Sequence, residues 1–298
     1  MLDVRRLRLL LELAHHGTVA ATAKAMCLTG PAVSQQLAVL EREAGVQLLE
    51  KEGRNVVLTA AGRLLVSHAD IILSDVAAAE SALATVRSNG VGAVRIGAFP
   101  SAARNLVAPL WTSVPGVSLR LVEQEPDSAV ESLMRREIDI AIVHSYTLLP
   151  RDTPVTCEMH PITDDPVLLA VPPDISRRRG LTPGQRVRLA RFADAAWLTP
   201  SKDLSCYEMT QRACGAAGFV PTVVAEATDF GVLTALVAAG AGVALLPRMA
   251  LPPDNAQVDL YPLTHPVVRR VYAMTRMNSA GRQDVRAVLA GLGAIGEA

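Results

Sequence analysis

Apolar positions divide the chain into regions of different period. Leu7, Leu10, Leu11 and Ala14 recur at helical spacing, and the run ends at His15-His16-Gly17, with glycine where helices commonly stop. Thr18 offers an N-cap hydroxyl to an alanine-rich helix over 19–26, and Thr29 does the same for a third helix with Pro31 in its first turn. On that third helix Val33, Leu37, Leu40 and Ala44 form the inward stripe before Gly45, which leaves Ser34, Gln35 and Gln36 pointing outward. Short strands at 46–49 and 56–58 flank a turn at Glu52-Gly53-Arg54. From residue 59 to about 88, Leu64, Leu65, His68, Ile72, Val76, Ala79, Leu83 and Val86 keep a three-to-four-residue spacing with no proline. The spacing predicts an amphipathic helix roughly 45 Å long, which has to bury its stripe against a second copy of itself.

Beyond a hinge at 90–92, strand-like runs at 94–98, 117–122, 138–143, 167–171, 243–246 and 267–275 alternate with helical stretches at 102–114, 129–136, 207–217, 231–239 and 282–292. That alternation spells an α/β domain. The length of 298 residues and 50% apolar content allow two or three cores, and 19% charged residues argue against a disordered chain. The longest uncharged stretch, 230–247, is broken by glycines and ends in proline, so no membrane span is expected. Asp3, Arg5, Arg6 and Arg8 stand where a signal peptide needs apolar residues, and the expected location is the cytoplasm. Cys27, Cys157, Cys206 and Cys214 are too sparse for a disulfide scaffold and show no CxxC spacing, so no structural metal is expected.

Two short helices joined by a tight turn, followed by a two-stranded wing, describe a winged helix-turn-helix. Gln and Ser on the outward face suit base edges, and Arg54 at the wing tip suits a phosphate. Charge alone does not reveal this, since residues 1–58 hold seven Lys/Arg against six Asp/Glu and the whole chain balances at 29 each. At Gly17-Thr18, Ala20-Ala21, Pro31-Ala32-Val33-Ser34, Leu40-Glu41, Gly45, Leu48 and Leu58-Thr59-Ala60-Ala61-Gly62 the sequence resembles the LysR-type transcriptional regulators. The resemblance implies an all-α winged helix-turn-helix over 1–58, a linker helix over 59–89 and an α/β effector domain over 90–298. That domain is expected to have two lobes of the type-II periplasmic-binding-protein-like kind, lobe I from 90–163 and 266–298 and lobe II from 164–265. It further implies binding to double-stranded promoter DNA, a dimer that pairs into a tetramer, and a small-molecule effector, with no cofactor. The expected DNA-binding residues are Thr18, Thr29, Pro31, Ala32, Ser34, Gln35, Gln36 and Arg54.

In α/β lobes ligands collect beyond the carboxyl ends of strands, where helix starts aim their amides. This selects Ser101 and Ala102, Ser128, Thr199 with Ser201, Cys206, and Thr228. Each hydroxyl also has a purely structural use as a helix cap. The resemblance places effector contacts at the Ser101 turn, after Trp197, and just beyond Asp139, where His144 stands. Hydroxyls and helix starts together favour a carboxylate. The arginines at 177–179, 186, 188 and 191 read as a solvated loop. No GxSxG, GxxxxGK[ST], strand-borne GxGxxG or HExxH is present, so an enzyme finds no support, and a transport receptor leaves residues 1–88 unexplained. A thiol sensor built on Cys206 and Cys214 is the alternative regulator. The two are eight residues apart, about 12 Å along a helix, which is beyond disulfide reach unless that helix unravels.

Overall fold

The computed structural model describes residues 1–52, 55–87, 92–253, 257–277 and 279–297. The opening run folds as α1 (Val4–His16), α2 (Val19–Ala25) and α3 (Gly30–Ala44), each with a side-chain cap. Asp3 accepts the amides of Arg5 and Arg6, Thr18 that of Ala21, and Thr29 that of Ala32. Leu10, Val33 and Leu40 meet in a fully buried core. β1 (Leu49–Glu52) pairs antiparallel with β2 (Asn55–Leu58). The first strand starts later than expected because the amides of Leu48 and Leu49 donate to the Glu41 carboxylate of α3, at 2.9 and 3.0 Å. Gly62 opens the next helix where any Cβ would overlap the Leu48 carbonyl oxygen, so the Thr59-to-Gly62 motif is a packing requirement. Arg54, the expected end of the linker helix at 88–89 and residues 90–91 of the expected hinge lie outside the described residues.

The long helix α4 (Ala60–Arg87) has two dissimilar sides. Leu65, Val66 and Ala69 pack on the N-terminal core, which moves Leu65 out of the stripe that spacing assigned it. Leu64, Ile72, Val76 and Leu83 stay exposed, Leu64 and Leu83 at 62% and 60%. Asp70, buried on the inner side, is bonded at 2.9 Å by Arg136 of the following domain. Among the described residues no helix is long and apolar enough to cross a membrane.

The remainder begins with β3 (Gly92–Ala98), α5 (Pro100–Ala102), a π-helical turn at Ala103–Val107, α6 (Leu110–Ser113), β4 (Val117–Glu123), α7 (Pro126–Met134) and β5 (Ile140–Tyr146). β3 pairs in parallel with both β4 and β5. Next comes β6 (Cys157–Val171), then α8 (Pro173–Arg178), β7 (Ala196–Pro200), α9 (Ser205–Ala216), β8 (Thr222–Ala227), α10 (Phe230–Ala238), β9 (Ala244–Pro247) and β10 (Asp259–Pro262). β11 (Val268–Arg276) and α11 (Gln283–Gly296) return to the first lobe. β6 is shared. Its first part pairs with β11 from Cys157 to Pro166, and its last part pairs with β9 and β10. One strand thus belongs to both lobes. One core gathers Ile96, Ile140 and Val285, and another gathers Leu169, Trp197 and Met209. The arginine-rich stretch expected as a loop opens instead as α8, where Arg178 pairs with Asp174 and Arg179 lies over the Phe192 ring.

Asp139 pins the first lobe. Its buried carboxylate takes the backbone amide and guanidinium of Arg95 (2.9 to 3.2 Å) and the guanidinium of Arg282 (2.8 Å). Burial raises this carboxyl, and the Arg95 bonds with the Arg282 charge outweigh that and hold it below the usual aspartate range. A depressed folded value means the stabilisation is present above the unfolded pKa, about 3.9, and is lost as pH falls through the folded value. Asp139→Asn leaves arginines short of a partner and is expected to cost about 3–5 kcal/mol in urea denaturation at neutral pH. The difference from wild type should shrink in acid, and a variant as stable as wild type at neutral pH would show that the cluster is incidental.

Candidate functional site

Two places gather the chemistry. The first is the outer face of α3. Pro31, Ser34, Gln35 and Gln36 are exposed there and Ala32 is half-buried, with Thr29 exposed at the start of the helix and Thr18 exposed at the start of α2. Both threonine side chains serve as helix caps. Gln36 accepts a bond from Arg6, whose guanidinium also holds Glu43 at 2.6 Å, so Ser34 and Gln35 are the freer pair on this face.

The second is a cavity of about 600 Å³ between the lobes. Four expected residues line it: Ser101, His144, Cys206 and Thr228. Ala102 is buried behind Ser101 in the helix core, Ser128 faces solvent in the first turn of α7, and Ser201 is half-buried in a turn where its carbonyl receives the Leu204 amide. Thr199 is fully buried in β7 and its hydroxyl has no partner among the described residues. None of these four reaches the cavity wall.

The residue at the centre of the wall was not selected from sequence. Arg269 of β11, 1% exposed, donates to Asp165 of β6 at 2.7 and 3.0 Å and to the Ser101 hydroxyl at 3.0 Å. Asp165 also accepts the Met249 amide at 2.9 Å. From the other side Asn105 and Arg104 donate to the Met249 carbonyl. The ion pair therefore ties the Ser101 turn of one lobe to the Met249 turn of the other, where β6 and β11 pass between them. Two adjacent arginines inside a strand with an apolar middle were the available signal, and nothing in the sequence separates the buried Arg269 from the exposed Arg270.

His144 on β5 is 3% exposed, with its ring edge-on to Phe99 and near Tyr146. Burial, then the charges of Arg269 and Arg151, push it well below the ordinary histidine value, so the imidazole is neutral at pH 7. Its Nδ1 has no partner among the described residues. The wall also includes Glu123, Glu125, Asp203 and Asp229 beside Arg104 and Arg269. The wall thus holds more acid than base, a feature that the hydroxyls and helix starts did not reveal in sequence.

Cys206 and Cys214 both lie within the unbroken helix α9, so the 12 Å spacing expected from sequence applies. The Cys206 thiol shares a 2.7 Å hydrogen bond with the Tyr146 hydroxyl, and burial raises its pKa. Burial pushes Cys214 up to about 12. Thiols so protonated and enclosed are poor nucleophiles. Neither should label with a thiol reagent at about pH 8 in the native protein, while both should label after unfolding; rapid native labelling of either, followed by mass spectrometry, contradicts this environment.

The LysR substrate binding domain model matches residues 87–294, more than half of the chain, and the model of the bacterial regulatory helix-turn-helix proteins of the lysR family matches residues 4–63. The HTH-type transcriptional regulator AlsR of Bacillus subtilis is 29% identical over 84% of this chain and 82% of its own. The DNA-binding transcriptional dual regulator OxyR of Escherichia coli is 28% identical over 92% of this chain and 88% of its own. The fold is also that of full-length CbnR complexed with its target DNA, with a TM-score of 0.58 at 20% identity over 99% of this chain and 100% of that one. The winged helical head, the linker helix and the two-lobed domain joined across one strand accordingly identify the chain as a member of the LysR family of transcriptional regulators.

Proposed function

We propose that the chain binds operator DNA as an oligomer through the outer face of α3, and that a small molecule held in the interlobe cleft shifts how the paired heads are arranged. The observation that carries this reading is the asymmetry of α4. One side is buried in the head and bonded to the two-lobed domain through Asp70 and Arg136, while the other leaves an apolar row open along its length. A second copy of the same helix is the partner such a row fits. An effector moves this assembly only by binding its arrangements unequally, so the response originates where the lobes meet.

Ser34→Ala and Gln35→Ala are each expected to weaken operator binding by about 1–3 kcal/mol in a gel shift on the chain's own promoter region, with the oligomer unchanged. Equal affinity in wild type and both variants would remove α3 as the reading helix. Ile72→Glu and Leu83→Glu place a charge in the open row and are expected to lower the sedimentation coefficient to that of a smaller species, with operator affinity falling alongside. An unchanged oligomer in both would mean that the row is covered by something other than a second α4.

A further inference from the structure

The polar wall of the cleft is unbalanced. Four carboxylates, those of Glu123, Glu125, Asp203 and Asp229, face two guanidiniums. Arg269 is matched by Asp165, while Arg104, whose Nη2 donates to the carbonyls of Met249 and Leu251, has no carboxylate partner among the described residues and leaves one positive charge against the acids. Asp229 caps the Gly231 amide. Among the described residues, Glu123, Glu125 and Asp203 have neither an ion pair nor a side-chain hydrogen bond. Burial lifts the Glu125 carboxyl above its ordinary value, and the neighbouring charges of Glu123 and Asp203 add to that against the pull of Arg269.

An independent observation lies in the same wall. His144 is buried, neutral and unpartnered at Nδ1, and a neutral imidazole accepts an N–H on its lone-pair nitrogen. A buried polar atom without a partner is uncommon enough to call for one. Among the described residues no three His, Cys, Asp or Glu side chains converge as they would around a metal ion. The cavity, about 600 Å³, has the size of a small-molecule site, and the Phe99 and Phe230 rings supply apolar surface of the kind that cations pack against.

We propose that the cleft takes a small organic cation carrying one or more protonated amines, met by Glu123, Glu125 and Asp203, with an amine N–H donating to His144. This rests on reading the cleft as the effector site and adds its ligand class.

The test uses the full chain and three probes of similar length and different charge: putrescine, γ-aminobutyrate and succinate, compared by calorimetry at fixed ionic strength. Binding is expected to rank putrescine first and succinate last. Glu125→Gln and, as a second change, Glu123→Gln should each weaken putrescine about tenfold, equivalent to about 1.4 kcal/mol, while melting without ligand stays near wild type, since both residues are exposed. His144→Phe keeps an aromatic ring and should weaken it as well. Succinate binding tightest overturns the amine assignment and leaves the cleft as the site. Putrescine that fails to bind at millimolar concentration, or whose binding ignores both glutamate changes, also overturns the assignment. Putrescine bound in the cleft with operator affinity unmoved in a gel shift overturns the effector reading instead.

Discussion

The two-lobed domain is organised around the ion pair between Arg269 and Asp165. Removing both charges from water is costly, and the cost is offset only when the remaining hydrogen-bonding capacity is used. Here Arg269 also holds the Ser101 hydroxyl and Asp165 the Met249 amide, one from each lobe. Because β6 and β11 are paired on both sides of this point, the ion pair fixes their register where they cross between lobes. The shape of the cleft follows from that crossing.

The same pair sets the electrostatics above it. Asp165 neutralises the most buried cation of the wall, and the Arg269 guanidinium contributes to keeping His144 neutral. What remains open to a ligand is acid in excess over the single unpaired guanidinium of Arg104, a neutral imidazole and aromatic surface. Away from the cleft, Asp139 joins β3, the first strand after the linker helix, to the start of α11, and Asp70 joins the linker helix to the turn that follows α7. Arg136 makes that contact at φ 62°, a left-handed value rarely adopted by a residue with a Cβ, which is consistent with a turn shaped by the ion pair. Buried charged contacts at Asp70 and Asp139 thus join the linker helix and the first strand after it to the body of the two-lobed domain.

Much of this was legible in sequence where local rules govern. The head helices are delimited by caps and glycines that act within four residues, and the parallel strands at 94–98 and 117–122 are apolar enough to declare themselves. The first half of β6 was missed because His160, Pro161, Asp164 and Asp165 give it a polar reading; it is a strand because β11 pairs along its length. β8 was missed for a similar reason, as a short strand whose partner β7 lies more than twenty residues earlier. The helix expected over 102–114 is divided by a π-helical turn before Pro109. Ser101 could be found by its place after a strand end, and His144 was found although β5 runs on through it to Tyr146, whereas Arg269 could not be found, because its burial depends on an aspartate a hundred and four residues away.

The central claim is that Arg269 and Asp165 act as one unit at the lobe junction, and a double-mutant cycle of Arg269→Met and Asp165→Leu measures it directly. Each single change is expected to cost about 3–5 kcal/mol in urea denaturation because it strands a buried charge. The double variant should recover part of that loss, giving a coupling energy of about 2–3 kcal/mol. Losses that simply add would contradict the account and make the pair two independent residues.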